Sequence, residues 1–165
     1  MFYKKEPLKN MSQGARLEFI REFRHMKNTD TAICMGYSSN KPIREWEGNS
    51  KSPDAKNLPR LAEVYEVSID AIKNYDFIVP IDEIYYQMWL EEQYPYFEFK
   101  LPDRFGVSDY NFSVQKGINE WLKMRENYEI TDQEYIEWKL NFMNDTIKLE
   151  ISGTSKKDGF LIERE

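Results

Sequence analysis

GYSSNKPIREWEG, Gly36 to Gly48, packs a sharp turn and the start of a short helix into thirteen residues. Gly36 suits the left-handed end of a preceding helix. Ser38, Ser39 and Asn40 are good N-cap residues, and Pro42, which has no N–H to donate, fits only the first turn of a helix. A short helix therefore starts between Ser39 and Lys41 and runs to about Glu47. Ile43 and Trp46, three apart, share its inner face. Asn40, Lys41 and Arg44 are left on its outer face. Those residue types have matching hydrogen-bond chemistry on duplex DNA: Asn for adenine, Arg and Lys for guanine, Ser for a base edge or a phosphate.

Working outward, the neighbouring segments repeat the helical spacing. Ser12 or Gln13 opens a helix with Leu17, Ile20 and Phe23 or Arg24 on one face. Asn28 or Thr29 caps a second helix that ends near Gly36. GNSKSPDAKN after the central helix is turn chemistry. A fourth helix opens near Pro59 and buries Leu61, Ala62 and Val64 or Tyr65. Ser68 caps a short fifth with Ile69 and Ile72 inward. Residues 1–11 carry little pattern and are expected as a loose arm.

These spaced residues carry a resemblance. LEFIREFR (Leu17 to Arg24), the Ala-x-x-x-Gly of Ala32 to Gly36, IREWEGNSKSP (Ile43 to Pro53) and LPRLAEVYEVSIDAI (Leu58 to Ile72) resemble the helix-turn-helix domain of the lambda-repressor-like, xenobiotic-response-element (XRE) family of regulators. The match covers about a third of the chain. It implies a five-helix domain over residues 12–75 whose third helix, residues 39–47, enters the major groove of double-stranded DNA. The DNA-contacting set expected is Thr29, Thr31, Ser38, Ser39, Asn40, Lys41, Arg44, Asn49 and Lys51. The resemblance also implies a structural ion pair between Arg24 and Glu47. Two departures stand out: Pro42 where a flexible polar residue is usual, and Gly48-Asn49 in place of Asn-Gly.

The chain of 165 residues has a net charge of −6, 41% hydrophobic and 15% aromatic residues. The charge is uneven. Through Ile78 there are 13 Lys and Arg against 11 Asp and Glu, a net of +2, and from Val79 onward 10 against 18, a net of −8. That contrast, with Val79-Pro80, predicts a linker over residues 76–81 and a second domain over residues 82–165. Asp82 caps a helix through Glu92, with Ile84, Tyr85, Met88 and Trp89 as its stripe. Helices follow over about 113–128 and from the Thr131/Glu134 capping box onward. YFEFKL (Tyr96 to Leu101) and TIKLEI (Thr146 to Ile151) alternate as strands, and FLIE after SGTSKKDG completes a hairpin. The expected fold is mainly α, with a smaller α+β second domain holding a short antiparallel sheet. The tryptophans Trp89, Trp121 and Trp138 are expected to form its core.

Catalytic and metal chemistry find no foothold. His25 is the only histidine and Cys34, placed near the core as a small hydrophobe, the only cysteine, so no zinc ligand set exists. There is no Gly-rich phosphate loop and no HExxH. The self-cleaving Ser/Lys peptidase half of some related repressors has no matching motif. Carboxylate pairs such as Glu91/Glu92 read as solvated helix ends. No apolar run reaches the ~20 residues of a membrane span, and the start lacks a signal-peptide core. The expectation is a non-enzymatic, cytoplasmic DNA-binding regulator, a repressor of phage or mobile-element type, without cofactor. It acts as a homodimer, with the second domain expected to dimerise the chain or sense a signal, because one short helix reads only a few base pairs at about 1–3 kcal/mol each. The alternative is an interaction module of antitoxin or inhibitor type. There the second half captures a protein or peptide partner, and the DNA-binding half serves autoregulation.

Overall fold

The computed structural model describes residues 6–100 and 109–154, with side chains over 6–100 and 115–143. Among the described residues the chain is mainly α, with eight helices and no strand. They are α1 (Gln13–Phe23), α2 (Asn28–Met35), α3 (Lys41–Glu47), α4 (Asn57–Tyr65), α5 (Ile69–Ile72), α6 (Pro80–Gln93), α7 (Asp109–Glu126) and α8 (Asp132–Thr154). The chain divides into two compact units between Lys100 and Leu101.

In the first unit α1 packs against α3 and α5, α2 against α3 and α4, and α4 against α5. The residues driving this are those the spacing predicts. Leu17, Ile20 and Phe23 of α1, Ile43 and Trp46 of α3, and Leu61, Ala62 and Tyr65 of α4 are buried. Each large apolar side chain removed from water contributes about 1.5–3 kcal/mol. Ser12 caps α1, its hydroxyl accepting the Ala15 N–H, and Ser68 caps α5 through the Asp70 N–H. Gly36 ends α2 at φ +81, as a left-handed terminator should. Two local expectations fail. The α2 N-cap is Lys27, whose N–H is taken by the Asp30 carboxylate at 2.7 Å, not Asn28 or Thr29. On α5, Ile69 is 42% exposed, and Ala71 takes the inward place beside Ile72.

The stretch expected as a linker is instead built into the first unit. α6 begins at Pro80, which sits comfortably in its first turn. Asp82 is therefore inside the helix, not its cap. Fully buried, it accepts the N–H groups of Asp76 and Phe77 at 3.1 Å each and pairs with Lys73 at 2.7 Å. Burial raises its pKa, but Lys73 and the two amides outweigh that and hold it below the usual carboxylate value. Ile84, Tyr85, Met88 and Trp89 are buried, as their stripe predicts. Trp89 lies edge-on to Phe19 with ring centroids 5.5 Å apart, so it belongs to this core and not to a second domain's.

The carbonyls that end α5 explain why α6 docks here. The Ala71 oxygen accepts Arg16 Nη1 at 2.9 Å, Trp89 Nε1 at 3.0 Å and the Tyr75 hydroxyl at 3.1 Å. Arg16 Nη2 reaches the Lys73 carbonyl at 2.9 Å, and its guanidinium lies 4.5 Å from the Tyr75 ring centre. A buried guanidinium is tolerated because the negative end of a helix and an aromatic face replace its water. Nor is the arm loose over its described part. Leu8 is buried and gives its N–H to the Glu92 carbonyl at 2.9 Å.

The expected sheet is not found among the described residues. Tyr96 to Lys100 runs without secondary structure. Phe99 is buried, and its N–H goes to the Glu91 carboxylate at 2.8 Å, so a side chain takes the donor that a strand partner would have used. Residues 146–151 lie inside α8, which continues because no Gly or Pro interrupts it before Gly153. The FLIE half of the hairpin lies outside the described residues. In the second unit α7 packs against α8, with Trp121 stacked on Trp138 at 5.2 Å and 10°. Tyr135 and Phe142 extend that row along α8, and Arg125 donates to the Tyr135 hydroxyl at 3.0 Å. The capping box opens α8 as expected: Thr131 and Glu134 exchange bonds of 2.7 and 3.1 Å.

The division at Lys100 changes the charge ledger. The first unit holds 14 Lys and Arg against 16 Asp and Glu, a net of −2, and the second 9 against 13, a net of −4. Five of the 18 acids after Ile78 (Asp82, Glu83, Glu91, Glu92 and Glu98) sit on or just after α6 and so belong to the first unit. Any approach to phosphate must come from local charge rather than from the unit as a whole.

Candidate nucleic-acid interface

α3 is short, and two of its seven residues hold it. Ile43 and Trp46 are 1% and 7% exposed, and Tyr37 packs edge-on to Trp46 at 6.1 Å. That burial fixes the opposite face outward. Ser38, Ser39, Lys41 and Arg44 are exposed and Asn40 is half-buried. Arg44 Nε donates to Asn40 Oδ1 at 3.1 Å, so two of the expected base readers are held together one turn apart. The Asn40 backbone is the N-cap, but its side chain caps nothing, which leaves the carboxamide to Arg44.

The helix is locked at its far end by charge. Arg21, not Arg24, pairs with Glu47, with Nε at 2.6 Å and Nη2 at 3.1 Å, and Asn28 adds a third bond at 3.1 Å. Burial works against the Arg21 charge, but the Glu47 bonds outweigh it and raise its pKa. Arg24 instead donates to the carbonyls of Tyr65 at 2.7 Å and Glu66 at 3.0 Å, tying α1 to the end of α4. The reason is helical phase. Arg21 stands one turn earlier, on the face of α1 that meets α3.

Asn49 is exposed, but its side chain is committed inward: Oδ1 accepts the Gly14 N–H at 2.8 Å and Nδ2 donates to Ser12 Oγ at 3.0 Å. It takes φ +60, while Gly48 before it stays at −85. This accounts for the Gly-Asn order, since Asn tolerates the left-handed turn and its amide stitches α3 to α1. Gly14 is what permits the approach. A Cβ there would lie 2.6 Å from the Trp46 carbonyl oxygen, and nearer still to that of Glu47. Nothing in the one-dimensional pattern distinguishes Gly14 from a tolerated helical glycine.

The remaining expected contacts divide. Thr29 is exposed in the first turn of α2. Thr31 is fully buried and shares a 3.2 Å bond with the Tyr65 hydroxyl, so it is out of reach of any ligand. Burial pushes that phenol up to about 12, with Thr31 pulling the other way. Lys51 is exposed and pairs with Glu45 at 3.2 Å. Cys34, expected near the core, is exposed on α2 with Ile33 beside it. His25 is exposed at the end of α1 with φ +57.

Between the arm, α1 and the end of α3 lies a cleft of about 380 Å³, lined among others by Lys9, Asn10, Ser12, Arg44 and Asn49. No local pattern in residues 1–11 places the arm and Arg44 on one cleft. Over residues 36–60 there are 5 Lys and Arg against 3 Asp and Glu. Glu47 and Glu45 are engaged by Arg21 and Lys51, so the exposed charge is that of Lys41, Arg44, Lys56 and Arg60 against Asp54. Among the described residues no group of His, Cys, Asp and Glu could hold a metal ion, and no helix is long and apolar enough to cross a membrane. No protein-family model, curated protein or solved structure matches the chain.

Proposed function

We propose that this chain is a sequence-specific binder of double-stranded DNA acting as a transcriptional regulator, with α2, its turn and α3 as a helix-turn-helix and α3 in the major groove. One observation carries the reading. α3 is anchored by Ile43, Trp46 and the Arg21–Glu47 pair, so its free surface is reduced to Ser38, Ser39, Asn40, Lys41 and Arg44. Those groups match base edges and phosphates, and an anchored short helix presents them without further ordering. Arg44 and Asn40 are the base readers. Lys41 and Thr29 lie where phosphates run, while Ser38 and Ser39 serve either. Thr31 and Asn49 are structural.

Regulation from a genome requires more than one such helix, because a single short helix distinguishes too few base pairs. The regulator therefore works as a homodimer reading two half-sites about one helical turn apart. The test is selection of duplexes from a random-sequence pool by the full-length chain, followed by titration with the selected duplex. Arg44→Ala and Asn40→Ala should each weaken binding by about 1–3 kcal/mol and relax base preference, with melting temperature unchanged. If the wild-type chain enriches no sequence, or both variants bind as tightly as wild type, the proposal fails.

A further inference from the structure

The cleft between the arm, α1 and the end of α3 gathers more positive charge than the packing around it uses. Three cations line it, Lys9, Arg21 and Arg44, against two carboxylates, Glu18 and Glu47. Arg21 holds Glu47 at 2.6 Å and Lys9 holds Glu18 at 2.7 Å, which leaves the charge of Arg44 unmatched. Here too α1 begins, with Ser12 as its cap and no acid in its first turn. The positive end of its dipole therefore adds to the surplus.

Hydrogen-bond donors are in surplus as well. Asn10 Oδ1 accepts the Ser12 N–H at 2.9 Å, which leaves the Asn10 Nδ2 to donate elsewhere. Ser12 Oγ accepts from the Ala15 N–H at 3.1 Å and from Asn49 Nδ2 at 3.0 Å, so both its lone pairs are engaged and its own proton is left to give. Lys9 commits one of its three N–H groups to Glu18, and with its side chain 69% exposed that pair is weak and yields readily to a second acceptor. The arm that carries Lys9 and Asn10 is fixed by buried Leu8, whose N–H is held by the Glu92 carbonyl. These donors are thus in place before a ligand arrives.

We propose that this cleft seats one phosphodiester of the duplex backbone, with Lys9, Asn10 and Ser12 as its donors and Arg44 reading a base at the rim. A phosphodiester carries a single negative charge and two free acceptor oxygens, which matches a surplus of one cation and several donors. Inorganic phosphate, with nearly two charges at neutral pH, matches it less well. The inference rests on the preceding reading, which brings a strand alongside α3. It adds Lys9 and Asn10 of the arm to the interface and gives α3 a fixed point on the duplex, since phosphate contacts set register while base contacts set specificity.

Titrating the full-length chain with its selected duplex at several salt concentrations tests it. Lys9→Gln should weaken binding about fivefold, to the selected duplex and to a scrambled one alike, and lower the salt slope by about one. Asn10→Asp keeps the oxygen that accepts the Ser12 N–H but replaces the donor with a charge, and should weaken binding at least as much. Glu18→Gln should tighten it, because Lys9 is released and a carboxylate leaves the side of the phosphate. A scan of single methylphosphonates along the duplex should find one position whose neutralisation weakens the wild type but not Lys9→Gln. At equal ionic strength, inorganic phosphate should compete no better than chloride. Wild-type affinity and salt slope in Lys9→Gln or Asn10→Asp, no methylphosphonate position that depends on Lys9, or selective displacement by inorganic phosphate would each overturn this inference while leaving sequence-specific binding intact. A wild-type chain that enriches no duplex would instead sink the DNA reading, and this inference with it.

Discussion

Two turns in this chain do the same job by opposite means. Gly36–Asn40 leads into α3 and Asp76–Val79 into α6; each is followed by a proline in the first helical turn, and each exposes a run of side chains. The first is relaxed. Its left-handed position is a glycine at φ +81 with open space around it, and what it displays is polar. The second carries its left-handed φ on Phe77, is held by a buried carboxylate, and displays apolar residues. A glycine's backbone freedom serves the first turn, whereas two hydrogen bonds to buried Asp82 brace the second.

The largest loss is expected in the helix behind the first turn. Trp46→Ala should cost about 3–5 kcal/mol, the loss of a buried aromatic, and calorimetry should show the first unit melting early. A variant of normal stability would mean that α3 is not anchored through that face.

Asp82→Ala comes next. It leaves two amides without their acceptor and Lys73 with Asp70 alone, at 3.5 Å, so denaturant unfolding should show a loss of about 2–4 kcal/mol. The pH dependence follows from the sign of the shift. The folded pKa of Asp82 is depressed, so its contribution is present above the unfolded carboxylate value and fades as pH falls through the folded one. The stability gap between wild type and Asp82→Asn should narrow on acidification below that range. A gap constant from neutral pH downward would show that charge is not what holds the turn.

Gly36→Ala should cost about 1–2 kcal/mol from conformation alone, since no atom stands within 4 Å of the added Cβ. Phe77→Gly removes a strain of the same origin together with a half-exposed ring, so its net effect should be smaller and can be stabilising. If Gly36→Ala proved neutral, the contrast between a relaxed and a held turn would lose its basis. Smallest of all, Lys51→Ala should change stability by less than about 0.5 kcal/mol, because its partner Glu45 is met only in a solvent-exposed pair.

The local elements of the first unit are legible in the order of its residues. Ser12 and Ser68 as caps, Gly36 as a terminator, the inward faces of α1 and α3 and the stripe of α6 all follow from short-range rules of spacing, capping and φ preference. The same rules opened α8 at Thr131 and Glu134. Tertiary structure decided the rest, wherever a residue's role depends on something distant in the chain. Arg21 rather than Arg24 meets Glu47 because the phase of α1 against α3 selects one turn over the next. Thr31 and Asn49 carry DNA-compatible chemistry but are consumed by Tyr65, Gly14 and Ser12, partners 34, 35 and 37 residues away. Residues 76–81 read as a linker because Val-Pro breaks a helix locally. Their order comes from a carboxylate buried only once α6 has folded back onto α5. The alternation of residues 146–151 resembled a strand, yet strand pairing needs a partner edge, while a helix already running through Phe142 satisfies its own backbone.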